Sequence, residues 1–120
     1  MNIFISGHRD LAQEEFEQYY VPLINQGMYN DVKFYISNFG NCEFMAHEYF
    51  EKCKYYNVVV CLLQSSPNIV NNHFTVINSF LDNEERDVYM TEQTDRDIAW
   101  VRKTELSRTA SNILRRFKMI

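Results

Sequence analysis

The chain has 120 residues, of which 46% are hydrophobic and 15% aromatic; that is enough for one domain with a real core and excludes a disordered segment. Sixteen acidic side chains against 12 basic ones leave a net charge of −4, which excludes a global basic field for capturing nucleic acid. Cys42, Cys53 and Cys61 form no C-x-x-C pair, nothing resembles a signal peptide, and no apolar run nears the roughly 18 residues of a membrane span, so a cytoplasmic, membrane-free protein with reduced thiols is expected.

Asn2–Ser6 (NIFIS) has the β-branched and aromatic content of a strand. Asp10 then offers an N-cap, with Gln13 in position to complete a capping box, before Phe16, Tyr19, Tyr20, Leu23 and Ile24 recur at helical spacing. Pro22 is expected to kink or shorten that helix and Gly27 to stop it. Asp31–Ser37 is a second strand, and Glu43–Lys54 a second helix with Met45, Ala46, Tyr49, Phe50 and Cys53 on one side. Asn57–Leu63 (NVVVCLL) is apolar without alternation, which predicts a strand covered on both faces.

A polar connection containing Pro67 leads to a strand at His73–Phe80. Asp82 and Glu85 form a capping-box pattern at the start of a helix running to about Gln93. Asp97–Arg102 is the last strand and Arg108–Phe117 the last helix. With no repeat, low-complexity segment or linker, residues 1–120 read as a single domain. Alternating strands and helices predict a three-layer α/β fold with a mostly parallel sheet of about five strands.

In such sheets ligands bind beyond the carboxyl ends of the strands, so the residues just past each strand are the candidates. Gly7, His8, Arg9 and Asp10 come after the first strand; Asn41, Cys42 and Glu43 after the second; Arg102, Ser107, Arg108 and Thr109 at the end of the last. Helix N-termini carrying arginines and hydroxyls suit a phosphate, and Glu43 could meet a sugar hydroxyl or an anomeric carbon. Each residue also has a structural reading. Asp10, Ser107 or Thr109 could simply cap a helix, Glu43 could complement its helix dipole, and Arg115, Arg116 and Lys118 could do so at the other end. His8, His47 and His73 have no metal-ligand spacing with the cysteines, so no metal or other cofactor is expected.

Several segments, in order, resemble a known group. ISGHRDL is similar to the first strand and loop of Rossmann-like proteins that include the SLOG superfamily and the nucleoside 2-deoxyribosyltransferase-like proteins. NFGNCEFMAHEYF resembles the group's second motif, G-D-A-x-G-A-D-x-x-A-x-x-Y-L. ERDVYMTEQTDRDIAWVR is similar to R-D-x-x-M-T-x-x-S-D-x-D-I-A-W-V-R of small members, often from phages and other viruses, and LSRTASNILRR to their closing S-G-T-x-x-N-x-L-x-R.

The resemblance implies a Rossmann-like pocket for a nucleotide- or nucleoside-derived ligand, in proteins that cleave or exchange N-glycosidic bonds or bind signalling nucleotides without turnover. By position it implies ligand contacts at Gly7, Arg9, Asp10, Arg86, Arg102, Ser107 and Thr109, with the loop neighbours His8, Asn41 and Arg108. Glu43 falls on the motif's Asp and becomes the candidate nucleophile or sugar-orienting group, with Asp87 and Asp97 as candidate proton donors. Small members of such families often complete their pockets across a dimer, so a homo-oligomer is implied too, in host cytoplasm for a viral member. Where the motifs carry glycine, this chain has Ser37, Asn41 and Arg108, and Asn38 replaces an Asp. Those changes keep the fold reading and leave three activities open: glycosidic cleavage or transfer, a non-catalytic sensor, and a scaffold with a closed pocket.

Overall fold

The computed structural model describes residues 1–66, 73–102 and 108–118. In chain order the elements are β1 (Asn2–Ile5), α1 (Gln13–Tyr19), α2 (Val21–Tyr29), β2 (Lys33–Ile36), α3 (Asn41–Lys52), β3 (Val58–Leu63), β4 (Thr75–Phe80), α4 (Asn83–Gln93), β5 (Arg96–Ile98) and α5 (Arg108–Lys118). The strands form one all-parallel sheet in the order β4-β3-β2-β1-β5. This is a three-layer, Rossmann-like α/β fold, as the alternation of elements predicts.

Strand alternation builds the layers, because successive side chains leave the sheet on opposite faces. Ile3, Ile5, Phe34, Ile36, Val58, Val60 and Leu62 face Phe16, Tyr20, Ile24, Ala46 and Phe50 of α1, α2 and α3 and the residue between the first two. Phe4, Tyr35, Val59 and Cys61 face the other way, toward Phe80 and Met90. The unalternating NVVVCLL run is therefore covered on both sides. Helix α4 rests on β1, β3 and β4 and also contacts α5. Chain order reverses beside β1, where β2 lies on one flank and β5 on the other, so the crevice expected of such a sheet opens above β1.

Three local expectations are corrected, and the break expected at Pro22 is present. Helix α1 starts at Gln13, not behind an Asp10 cap: Ala12 holds the N-cap position and Glu15 Oε1 accepts the Ala12 N–H at 2.8 Å. Asp10 is drawn off by Arg102, whose Nη1 lies 2.8 Å from its Oδ1. Gly27 does not stop its helix, which continues to Tyr29; a Cβ on Gly27 would sit 2.6 Å from Phe34 Cζ, so the glycine serves helix–sheet contact. Pro22 divides the predicted helix into α1 and α2, standing in the first turn of α2 where its missing N–H costs nothing. Strand β5 ends at Ile98 rather than reaching Arg102, because the following amides bond elsewhere: Trp100 N–H donates to the Tyr20 hydroxyl at 3.0 Å and Arg102 N–H to His8 Nε2 at 3.0 Å. Pro67 and Ser107 lie outside the described residues.

Candidate functional site

A cleft of about 300 Å³ opens at the carboxyl ends of β1 and β2, between the start of α3 and the pair α4 and α5. Its floor is set by strand period. Asn2, Ile3 and Phe4 pair with Lys33, Phe34 and Tyr35, and the same register carried two residues further sets Ser6 beside Ser37. Both serines are buried and line the cleft above Phe4. Their small side chains leave the depth that a larger residue would fill.

Glycine makes the adjoining loops fit. A Cβ on Gly7 would lie 2.3 Å from Cys42 Sγ and 2.6 Å from the Tyr20 hydroxyl oxygen, and one on Gly40 would lie 2.7 Å from Arg9 Cα. The loops after β1 and β2 thus pack closely, joined by the Asn41 N–H donated to Arg9 O at 2.9 Å.

Glu43 stands in the first turn of α3, where its Oε1 accepts the Gly40 N–H at 3.2 Å. It is only 4% exposed. Burial pushes its carboxyl up to about 7, against the opposing pull of backbone hydrogen bonds and of Arg108 and Arg86. That places it in the range of a group that exchanges protons near neutrality.

Opposite lies a buried ionic cluster. Arg86 Nε donates to Asp87 Oδ1 at 3.1 Å, Asn112 Nδ2 donates to Asp87 Oδ2 at 3.4 Å, and Arg108 Nε is 3.7 Å from the same Oδ2. Arg86 and Asp87 are each 2% exposed. The Arg108 guanidinium also lies 3.6 Å from the centre of the Phe39 ring, with Arg9 on that ring at 5.0 Å. Burial holds Arg108 below its ordinary titration range, while Asp87 pulls it back up. Arg108 and Thr109 open α5, so the positive end of a helix adds to two rim arginines.

No protein-family model, curated protein or solved structure matched the chain.

Of the positions singled out in the sequence, the cleft gathers Gly7, His8, Arg9, Asp10, Glu43, Arg86, Asp87, Arg108 and Thr109. Three others lie apart. Arg102 is held by Asp10 and by Glu15, its Nη2 being 2.6 Å from Glu15 Oε1. Asp97 receives Arg116 Nε at 2.8 Å and Nη2 at 3.1 Å, and faces a second groove near Met1 and Leu23. Asn41 is exposed and turned to Leu11 O. His8 accepts the Arg102 N–H through Nε2, which leaves its proton on Nδ1, and meets Trp100 edge-on. Sequence reasoning passed over Ser6, whose place could have been read by extending the alternation of Phe4. Among the described residues no three His, Cys, Asp or Glu side chains gather as a metal group, and no helix is long and apolar enough to cross a membrane.

Proposed function

We propose that the cleft binds a nucleoside 5′-monophosphate and hydrolyses its N-glycosidic bond, with Glu43 carrying the chemistry. The observation that supports this most is one cleft shared by a buried carboxyl and a cationic rim: Glu43 on one side, Arg9, Arg108 and the start of α5 on the other. Phosphate belongs at the rim, where charge-assisted bonds and helix amides converge. The sugar then extends toward Glu43. A volume of about 300 Å³ stands at the small end of small-molecule sites and suits one nucleotide. The motif likeness to nucleoside-processing proteins points the same way.

In the reaction the C1′–N bond breaks and its electron pair leaves with the base. Water supplies the oxygen that joins C1′, and its proton goes to the departing nitrogen. The ionised Glu43 stabilises the oxocarbenium-like sugar. Asp87, held among Arg86, Arg108 and Asn112, anchors those cations instead of transferring protons; Asp97 stands outside the cleft.

Arg108 stacked on Phe39 favours a second reading, capture of the nucleotide without turnover, since that pair narrows the mouth. A thermal-shift screen of nucleoside monophosphates followed by chromatography separates the two. Free base and pentose phosphate support hydrolysis, whereas a stabilising nucleotide recovered intact supports capture. The absence of any shift overturns both.

A further inference from the structure

The Ser6 hydroxyl is the unexplained group in the cleft. Ser6 is 6% exposed and lines the cavity, yet its Oγ has no hydrogen-bond partner among the described residues. The rest of Ser6 is well held. Its carbonyl accepts the Tyr20 hydroxyl at 2.8 Å and its N–H donates to Ile98 O at 3.1 Å. A buried hydroxyl without a partner carries an uncompensated desolvation cost, so the position makes physical sense when something in the cleft bonds to it.

The surroundings say what kind of group that is. Ser37, Glu43 and Asp87 line the same space as Ser6. Carboxylates repel a phosphate, which is drawn to Arg9 and Arg108 at the rim. Serine hydroxyls both donate and accept, and a carboxylate accepts; together they match a sugar hydroxyl, which also does both.

We infer that Ser6, with Ser37 and Glu43, forms a hydroxyl-reading floor that selects ribonucleotides over 2′-deoxyribonucleotides. The inference rests on the nucleotide reading of this cleft and adds the class of sugar. Ser6 is then a specificity-determining residue.

The test measures binding of the four ribonucleoside 5′-monophosphates and their 2′-deoxy counterparts to the full chain, with inorganic phosphate as a probe of the rim alone. The expected result for the tightest-binding base is a preference for ribose of about 10- to 100-fold, the effect of leaving a buried polar group unpaired. Ser6→Ala should reduce that preference to within about threefold and leave phosphate affinity unchanged. The unliganded variant should melt at or above the temperature of the original, because the hydroxyl it loses has no partner; Ser37→Ala serves as a second variant. Equal binding of both sugars, or a Ser6→Ala loss shared equally by both, overturns the inference while leaving the nucleotide site standing. If no monophosphate binds the folded protein, the underlying reading falls and this inference falls with it.

Discussion

Arg86 and Asp87 are neighbours in the chain and also ion-pair partners, with Nε and Oδ1 3.1 Å apart and both residues buried. Adjacent helical side chains do not ordinarily face one another. Here the second carboxylate oxygen is engaged by Asn112 and approached by Arg108 from α5. Asp87 therefore joins α4 to α5 and forms one wall of the cleft.

Removing that carboxylate leaves buried guanidinium charge uncompensated, which typically costs about 3–5 kcal/mol. Asp87→Ala should lose stability on that scale in urea unfolding, and Asp87→Asn less, since the amide still offers an acceptor. An unchanged midpoint for the alanine variant would show that the ionic cluster does not hold α5 in place.

Glu43 makes stability depend on pH with a definite sign. Its carboxyl titrates near 7 in the folded protein against 4.5 as the ordinary value, so between those values the folded state binds more protons than the unfolded. Stability present below 4.5 is lost as pH rises through about 7, by about 3 kcal/mol in all. Glu43→Gln cannot titrate, so its stability relative to the original should improve by that order between pH 5 and 8. The same variant should abolish release of free base while retaining nucleotide binding. Retained turnover would remove Glu43 from the mechanism.

Glu15 works in the opposite direction. Hydrogen bonds from Arg102, and then from the Ala12 amide, hold its carboxyl at about 2 instead of 4.5. Its contribution is fully present above 4.5 and disappears as pH falls from there toward 2. The pair is open to solvent, so the effect is small and weakens with salt. Glu15→Gln or Arg102→Ala should flatten the acid side of a melting-temperature profile between pH 4.5 and 2; identical slopes for variant and original would refute the pairing.

Gly7→Ala forces a methyl into the space of Cys42 Sγ and the Tyr20 hydroxyl. Overpacking of this kind costs about 1–3 kcal/mol. Nucleotide affinity should fall with stability, because the shifted loop carries His8, Arg9 and Asp10. Calorimetric melting and a binding titration of the same variant would measure both effects.

Local patterns were the legible part of this chain. NVVVCLL announces a doubly covered strand without help from elsewhere. The N-cap at α4 is written within a few residues: Asp82 Oδ1 accepts the Glu85 N–H at 2.8 Å, although the reciprocal half of the expected box is displaced by one residue, Glu85 Oε2 accepting the Leu81 N–H at 3.1 Å. The strand-end rule likewise located Gly7–Asp10, Glu43, Arg108 and Thr109. Features set by distant partners were not legible. Asp10 looks like a cap until Arg102, 92 positions away, takes it. The end of β5 depends on a tyrosine hydroxyl 80 positions away. Asp97 reads as a candidate proton donor at the start of the last predicted strand, and only the fold brings Arg116 to it. Ser6 could be placed by alternation, but the missing partner of its hydroxyl is a property of the packed cleft.

The position of β1 between β2 and β5 has a kinetic consequence. Asn2 N–H bonds Asp95 Oδ2 at 3.0 Å and Asp95 N–H returns to Asn2 O at 2.8 Å, across a separation of 93 residues. Strand β1 thus waits for β5, the last strand in chain order among the described residues, to cover its flank. Contacts this remote in sequence close slowly, and until they do β1 presents an unpaired edge of the kind that recruits other chains. The same late docking brings α5, and with it Arg108 and Thr109, against the serine floor. The nascent chain consequently has most of its sheet before it has a binding site, and a ligand can stabilise only the completed fold.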